Sequence, residues 1–292
     1  MSRIAYVNGR YLPHGQAAVH IEDRGYQFAD GVYEVCEVSD GLLVDEPRHM
    51  ARLKRSLSEL RIGWPLKPAA LGVVLREVVR RNRVRDGIVY LQVTRGVARR
   101  NHAFPHGKVT PALVVTARPS DGADLAKRAE EGVAVITVPE NRWERVDIKS
   151  IGLLPNVLAK QKAKESGAFE AWFVDGEGFV TEGSSTNAWI VTADGTIVTR
   201  SAEAGILRGV PRTGVLDAAA GEALRVEERP FSVSEAQAAS EAFLTSASLK
   251  VTAVIHIDGV VIGSGRPGPV ASRLRRLFRE RAEIAPLWAS GT

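Results

Sequence analysis

Asp-Gly pairs constrain this chain more than any other feature. Six of them stand at 30–31, 40–41, 86–87, 175–176, 194–195 and 258–259. Several lie between short apolar runs. The dipeptide supplies the positive φ that a tight hairpin turn requires, so each such site predicts two antiparallel strands. Val35-Cys36-Glu37-Val38 and Leu42-Leu43-Val44 read as one hairpin. Ala171–Val174 with Phe179–Thr181, Trp189–Val191 with Thr196–Val198, and Val251–Ile257 with Val260–Ile262 read as three more.

Helices separate the hairpins. Residues 47–61 begin with a proline, favoured in a first helical turn, and carry Met50, Leu53, Leu57 and Leu60 at helical spacing. Residues 67–83, 209–223 and 269–282 read as three further helices. Ser120-Asp121-Gly122-Ala123-Asp124 follows the strand Leu113–Ala117 and precedes the strand Val133–Val138, which makes it the expected linker. The order is sheet plus helices, twice. The fold class is therefore α+β in two domains: a small one over residues 1–120, a linker at 121–127, and a larger one over 128–292 that carries Lys149.

Several function classes fall away. Lys and Arg number 39 against 34 acids, a net charge of +5. Acids interrupt the basic runs, as at Glu227-Glu228-Arg229 and Arg279-Glu280-Arg281, and the tight basic cluster lacks interleaved aromatics. No nucleic-acid partner is expected. No run approaches the roughly 18 apolar residues of a bilayer span, so no membrane partner is expected. The segment Met1–His20 has no apolar core, and the expected compartment is the cytoplasm. Cys36 is the only cysteine, which excludes intrachain disulfides and thiolate-rich zinc sites; it reads as a core residue. The histidines show no metal-ligand spacing, and no metal is assigned.

Four local patterns carry candidate chemistry, and each has a plainer reading beside it. Lys149 is flanked by apolar residues, a setting that can lower a lysine pKa enough for imine chemistry, although on local sequence alone a surface lysine is the favoured reading. Glu182 opens a run of small hydroxyl residues that suits a polar pocket or a strand-end turn. Gly209-Val-Pro-Arg-Thr213 starts a helix whose N–H groups can hold a phosphate, or simply starts a helix. Arg100-Asn-His102 can bind a carboxylate, or can be a solvated basic loop.

Their order and intervals are more specific. Asp23-Arg-Gly-Tyr-Gln-Phe-Ala-Asp-Gly-Val-Tyr-Glu34, Gln92-Val-Thr-Arg-Gly-Val-Ala-Arg-Arg-Asn-His102, Asp147-Ile-Lys-Ser150 with Asn156-Val-Leu-Ala-Lys160, and Thr181-Glu-Gly-Ser-Ser-Thr-Asn187 occur in sequence. In these stretches the chain resembles the fold-type IV pyridoxal-phosphate enzymes, and among them the D-amino acid transaminases, over roughly residues 3–265. The resemblance implies a small N-terminal α/β domain and a larger C-terminal pseudo-barrel domain. It implies pyridoxal 5'-phosphate as cofactor, with Lys149 forming the internal aldimine, a Schiff base. Glu182 would pair with the pyridine nitrogen. Arg52 looks like the phosphate arginine, and Val210, Ser246 and Ala247 look like the other phosphate positions. Leu207 is a further cofactor residue by the same resemblance. The family usually has threonine where Pro211 and Ala247 stand, so donors to the phosphate are missing here.

The implied reaction moves an amino group from a D-amino acid of the D-alanine or D-glutamate type to a 2-oxo acid, in ping-pong order. Arg100 and His102 with Tyr33 resemble the carboxylate trap of the D-enzymes, reached across a homodimer. Arg142 matches the D-enzyme pattern near the cofactor hydroxyl or substrate. The alternatives of the same fold are a branched-chain L-amino acid transaminase, an R-selective amine transaminase and an aminodeoxychorismate lyase. A cofactor-free binding protein is the alternative of a different class.

Overall fold

A computed structural model describes residues 3–285. The chain divides into two compact units. The first holds the described residues up to Asp121, the segment Ile148–Gly152 and the described residues from Glu283 on; the second holds Gly122–Asp147 and Leu153–Ala282.

In the first unit the chain runs through β1 (Ile4–Val7), β2 (Arg10–Pro13), α1 (Arg24–Phe28), β3 (Gly31–Ser39), β4 (Leu42–Val44), α2 (Glu46–Glu59), α3 (Pro68–Arg81), β5 (Gly87–Thr94) and β6 (Ala112–Pro119). These strands form an antiparallel sheet in the order β4-β3-β5-β6-β1-β2. β3 alternates as its sequence demands: Val32, Glu34, Cys36 and Val38 are buried, while Tyr33, Val35 and Glu37 are only half-buried. Leu53 and Leu57 of α2 and Leu71, Leu75 and Val78 of α3 share one core with Val32, Cys36, Val89 and Leu91. β4 pairs with only Val38 and Ser39 of β3. The segment Ile148–Ile151 satisfies the edge that β4 leaves open. Tyr33 N–H donates to the Lys149 carbonyl at 3.0 Å, Ile151 N–H donates to the Gly31 carbonyl at 3.1 Å, and Val32 bridges Ser150.

The second unit holds α4 (Gly122–Glu131), β7 (Val133–Pro139), α5 (Leu154–Glu165), β8 (Glu170–Val174), β9 (Val180–Gly183), β10 (Asn187–Val191), β11 (Ile197–Thr199), α6 (Val210–Gly221), β12 (Val226–Glu228), α7 (Val233–Gln237), β13 (Glu241–Ser246), β14 (Lys250–Ile257), β15 (Val260–Val261) and α8 (Pro269–Arg281). Its sheet runs β12-β11-β10-β13-β14-β7-β8-β9, with β15 paired to β14. The sheet curls so that β9 lies against β10 without joining its ladder. Trp172, Ile190, Leu244 and Phe231 fill one core; Trp189 and Phe243 pack with Val215 of α6 and Leu274 and Phe278 of α8. A final strand, β16 (Ile284–Ala285), returns to the first unit and pairs with β4. No helix among the described residues is long and apolar enough to cross a membrane.

All four expected hairpins and all four expected helices are present. The linker expected at 121–127 is not a linker: α4 begins at Gly122. Small polar residues that suit a loop also suit a helix start, and Asp124 pairs with Arg128 one turn on, Nε to Oδ2 at 2.7 Å. Lys149 also departs from the expected 128–292 domain. Its segment belongs to the first unit because it pairs with β3, a contact that linear spacing does not announce.

Candidate active site

In the first unit, Lys149 is tied to the fold by its main chain. Its carbonyl accepts Tyr33 N–H, and its own N–H donates to Ser56 Oγ at 3.4 Å. The side chain is thereby free of structural duty. Nζ sits 4.2 Å from the centre of the Tyr33 ring, and no carboxylate pairs with it among the described residues. Tyr33 is braced in turn by Tyr90, with ring centres 5.6 Å apart. A half-buried lysine side chain over an aromatic face, without an acid partner, is sterically available to a ligand.

Arg52 sits one helical turn after His49 on α2, so both side chains leave the same face. They converge on Glu34, the one charged residue on the core side of β3. Arg52 donates from Nε to Oε1 at 2.7 Å and from Nη2 to Oε2 at 2.8 Å, and His49 Nδ1 lies 2.8 Å from Oε2. Burial pushes the Glu34 carboxyl up, but the charge and hydrogen bonds of Arg52, with those of His49, overcome it and hold it at about 2. Glu34 and His49 escaped the sequence reading. The available signal was an acid at a core-facing position of an alternating strand.

Arg100 and His102 lie together on an exposed loop of the same unit. The Arg100 guanidinium is 4.6 Å from the Phe28 ring centre, and the His102 ring is 5.3 Å from it. No contact among the described residues joins either of them to Tyr33, the third member of the expected trap.

In the second unit, Glu182 on β9 is buried and held by three residues. Oε1 accepts from Arg142 Nη1 at 2.6 Å, Oε2 accepts from Asn187 Nδ2 at 3.0 Å, and Leu207 N–H reaches both oxygens at 3.2 Å. Burial raises its pKa, and Arg142 and the Leu207 N–H oppose that rise without cancelling it. Leu207, expected as a cofactor contact, thus holds Glu182 through its main chain. Arg142, expected at the cofactor hydroxyl or the substrate, is clasped by two carboxylates. Its Nε and Nη2 donate to Glu140 at 2.9 Å and 2.6 Å, and Glu140 also accepts from Thr181 Oγ1 at 2.8 Å. Glu140 was likewise missed, although it stands two residues before Arg142.

Val210 occupies the first position of α6 and is buried, and Pro211 follows it. No side chain caps this helix start. A Cβ added at Gly209 would lie 2.1 Å from Asn187 Oδ1, so the helix start presses against the residue that holds Glu182. Ser246 ends β13, where its Oγ accepts Leu249 N–H at 3.2 Å, and Ala247 follows in the turn.

Each unit holds groups that suit pyridoxal phosphate: in the first, an unpaired amine for its aldehyde; in the second, a buried carboxylate held by hydrogen bonds for its ring nitrogen and an uncapped helix start for its phosphate.

The profile of the family described as amino-transferase class IV matches residues 31–257. A D-alanine aminotransferase of Bacillus licheniformis is 42% identical over 268 residues, covering 92% of this chain and 93% of its own. A D-alanine aminotransferase of Staphylococcus haemolyticus is 38% identical over 280 residues, covering 95% and 97%. Among solved structures, the Escherichia coli branched-chain amino acid aminotransferase superposes with a TM-score of 0.88 at 23% identity, covering 96% of this chain and 95% of its own. A branched-chain aminotransferase of the thermophilic archaeon Thermoproteus uzoniensis, with norvaline, gives 0.84 at 26% identity, covering 96% and 94%. With its lysine, its buried glutamate and these relatives, the chain belongs to the class IV amino-transferases and is a pyridoxal 5'-phosphate-dependent enzyme.

Proposed function

We propose that the protein transfers amino groups between D-amino acids, of the D-alanine or D-glutamate type, and 2-oxo acids. One observation carries the choice of an amino acid over an amine as substrate. Arg100 and His102 are exposed together on one aromatic ring, and no acid partners Arg100 among the described residues. A guanidinium so placed suits a carboxylate, which an R-amine lacks. The D-alanine aminotransferases at 37–42% identity support the same substrate class.

When bound, pyridoxal phosphate supplies an aldehyde that stores the amino group between two half-reactions and a protonated ring that takes up an electron pair. The chain does the rest. Lys149 would hold the cofactor through its Nζ, and the same amine would take up the proton lost from the substrate Cα and give it back later in the half-reaction. Glu182 keeps the proton on the ring nitrogen, and Arg142, Asn187 and the Leu207 N–H keep Glu182 in place. Arg52 holds the phosphate together with Val210, Ser246 and Ala247. Arg100, His102 and Tyr33 fix the substrate carboxylate, which decides which enantiomer turns its Cα hydrogen towards Lys149.

The same reading makes the protein a cytoplasmic homodimer. Ile21 and Tyr26 are each 76% exposed, and Val97 and Phe104 are exposed near the Arg100 loop, an apolar surface that suits a second copy. Sedimentation would report the dimer.

The function is tested by half-reactions with both enantiomers of alanine, glutamate and leucine, and with an R-amine. D-alanine or D-glutamate is expected to bleach the cofactor band fastest. Faster reaction with L-leucine would favour a branched-chain transaminase, and faster reaction with the amine would favour an amine transaminase.

A further inference from the structure

We propose that Phe28, with Arg24 and Asp30 behind it, is the positioning platform that holds Arg100 and His102 ready for the substrate carboxylate. The inference rests on the carboxylate-binding reading of that pair.

Phe28 closes the short helix α1 and is only half-buried. Three groups gather on its ring: the guanidiniums of Arg24 at 4.8 Å and Arg100 at 4.6 Å, and the imidazole of His102 at 5.3 Å. The negative face of the ring attracts the Arg100 guanidinium and its body packs against the His102 ring, so one side chain orients both trap residues without neutralising the guanidinium. An acid in the same place would orient them equally well but would compete with the substrate.

Arg24 fixes the backbone under those side chains. Its Nη1 donates to the Asn101 carbonyl at 2.6 Å and its Nη2 to the His102 carbonyl at 3.4 Å, while Nε donates to Asp30 at 2.8 Å. Asp30 is shared. It also accepts from Arg95 Nε at 2.7 Å and Nη2 at 2.9 Å, and Arg95 lies 3.7 Å from the Phe104 ring centre. One carboxylate therefore ties down arginines that hold the loop at 101–102 and again at 104. Two guanidiniums on one acid leave the loop positive, as an anion site requires.

The platform is anchored. Asp23 caps α1 by accepting Gly25 N–H at 2.8 Å and also accepts from Thr94 Oγ1 at 2.9 Å. A Cβ at Gly25 would lie 2.2 Å from Thr94 Cγ2, so α1 is pressed onto the end of β5. Pre-ordering of this kind lowers the entropy lost when the loop takes its ligand.

The test compares Phe28→Leu, Phe28→Tyr, Arg100→Ala and the double variant Phe28→Leu with Arg100→Ala, all as holoenzymes. The readouts are KM and kcat for D-alanine, the dissociation constant of propionate by calorimetry, and amide exchange over residues 99–104. Phe28→Leu is expected to raise KM and the propionate constant by about three- to tenfold, with little change in kcat and faster exchange in the loop. Phe28→Tyr keeps the ring and should restore both constants. The double variant should lose less than the two single losses combined, because only His102 is then left for the ring to hold. Unchanged constants in Phe28→Leu beside raised ones in Arg100→Ala would overturn the platform, as would independent, additive losses. Unchanged constants in Arg100→Ala would overturn the carboxylate reading itself.

Discussion

Arg52 meets Glu34 through two parallel hydrogen bonds, Nε to Oε1 at 2.7 Å and Nη2 to Oε2 at 2.8 Å, inside the core of the first unit. Glu34 is completely buried. Removing one member of such a pair strands the other charge, which costs about 3–5 kcal/mol. Glu34→Ala should therefore lower the unfolding free energy by that amount, measured in urea, and should weaken cofactor binding as Arg52 loses its brace. An unchanged denaturation midpoint would show that the pair does not support α2.

The same pair makes stability depend on pH. The Glu34 carboxyl is held at about 2, down from 4.5, by Arg52 and His49 against the cost of burial. A depressed carboxyl contributes its full share above the unfolded value. The contribution shrinks as pH falls from 4.5 towards about 2 and is gone below that. The contribution is on the order of 3 kcal/mol. Urea denaturation through this window should show a steep loss of stability in the native protein and a flatter profile in Glu34→Gln.

Lys149→Ala should fold normally and lose turnover. The links of Lys149 to Tyr33 and Ser56 run through its carbonyl and N–H, which alanine retains. Loss of a proton-transfer group typically costs about 10²–10⁴-fold in rate, and on the proposed reading the cofactor's attachment point goes with it. Circular dichroism should match the native protein while D-alanine half-reaction rates collapse. Near-normal rates would remove Lys149 from the chemistry.

Glu182→Gln separates charge from structure. Arg142 keeps Glu140 as its partner in the variant, so no buried cation is stranded. The melting temperature of the cofactor-stripped protein should not fall. Activity should fall about 100-fold or more, because a neutral amide does not hold a proton on the ring nitrogen. A variant that lost stability and activity together would place Glu182 among structural residues.

Local signals in the sequence were reliable where side-chain period and turn chemistry agree. The short apolar runs and the Asp-Gly turns between them placed the hairpins correctly. Pairings between distant segments were not legible. Arg142 finds Glu182 forty residues on, and Lys149 finds β3 across more than a hundred, through contacts that only the folded sheet creates. Asp121-Gly122 shows the opposite failure. A loop-like composition stood at a helix start, where small and acidic residues are equally favoured.

The proposed phosphate positions lack two donors. Pro211 is the second residue of α6 and has no N–H to offer, and Ala247 has no hydroxyl, where the family pattern has threonine. Ser246 Oγ already accepts Leu249 N–H, and Ser248 Oγ lies 3.4 Å away as a competitor for its hydrogen. Each restored neutral hydrogen bond is worth about 0.5–1.5 kcal/mol, roughly two- to twelvefold in affinity. Pro211→Thr and Ala247→Thr should each tighten pyridoxal phosphate binding within that range, read as the dissociation constant of the cofactor from the stripped protein. The native protein should release cofactor measurably on dilution, and the double variant should hold it. Complete retention by the native protein through dialysis, with no gain in either variant, would mean that Arg52 and the remaining N–H groups saturate the phosphate without help.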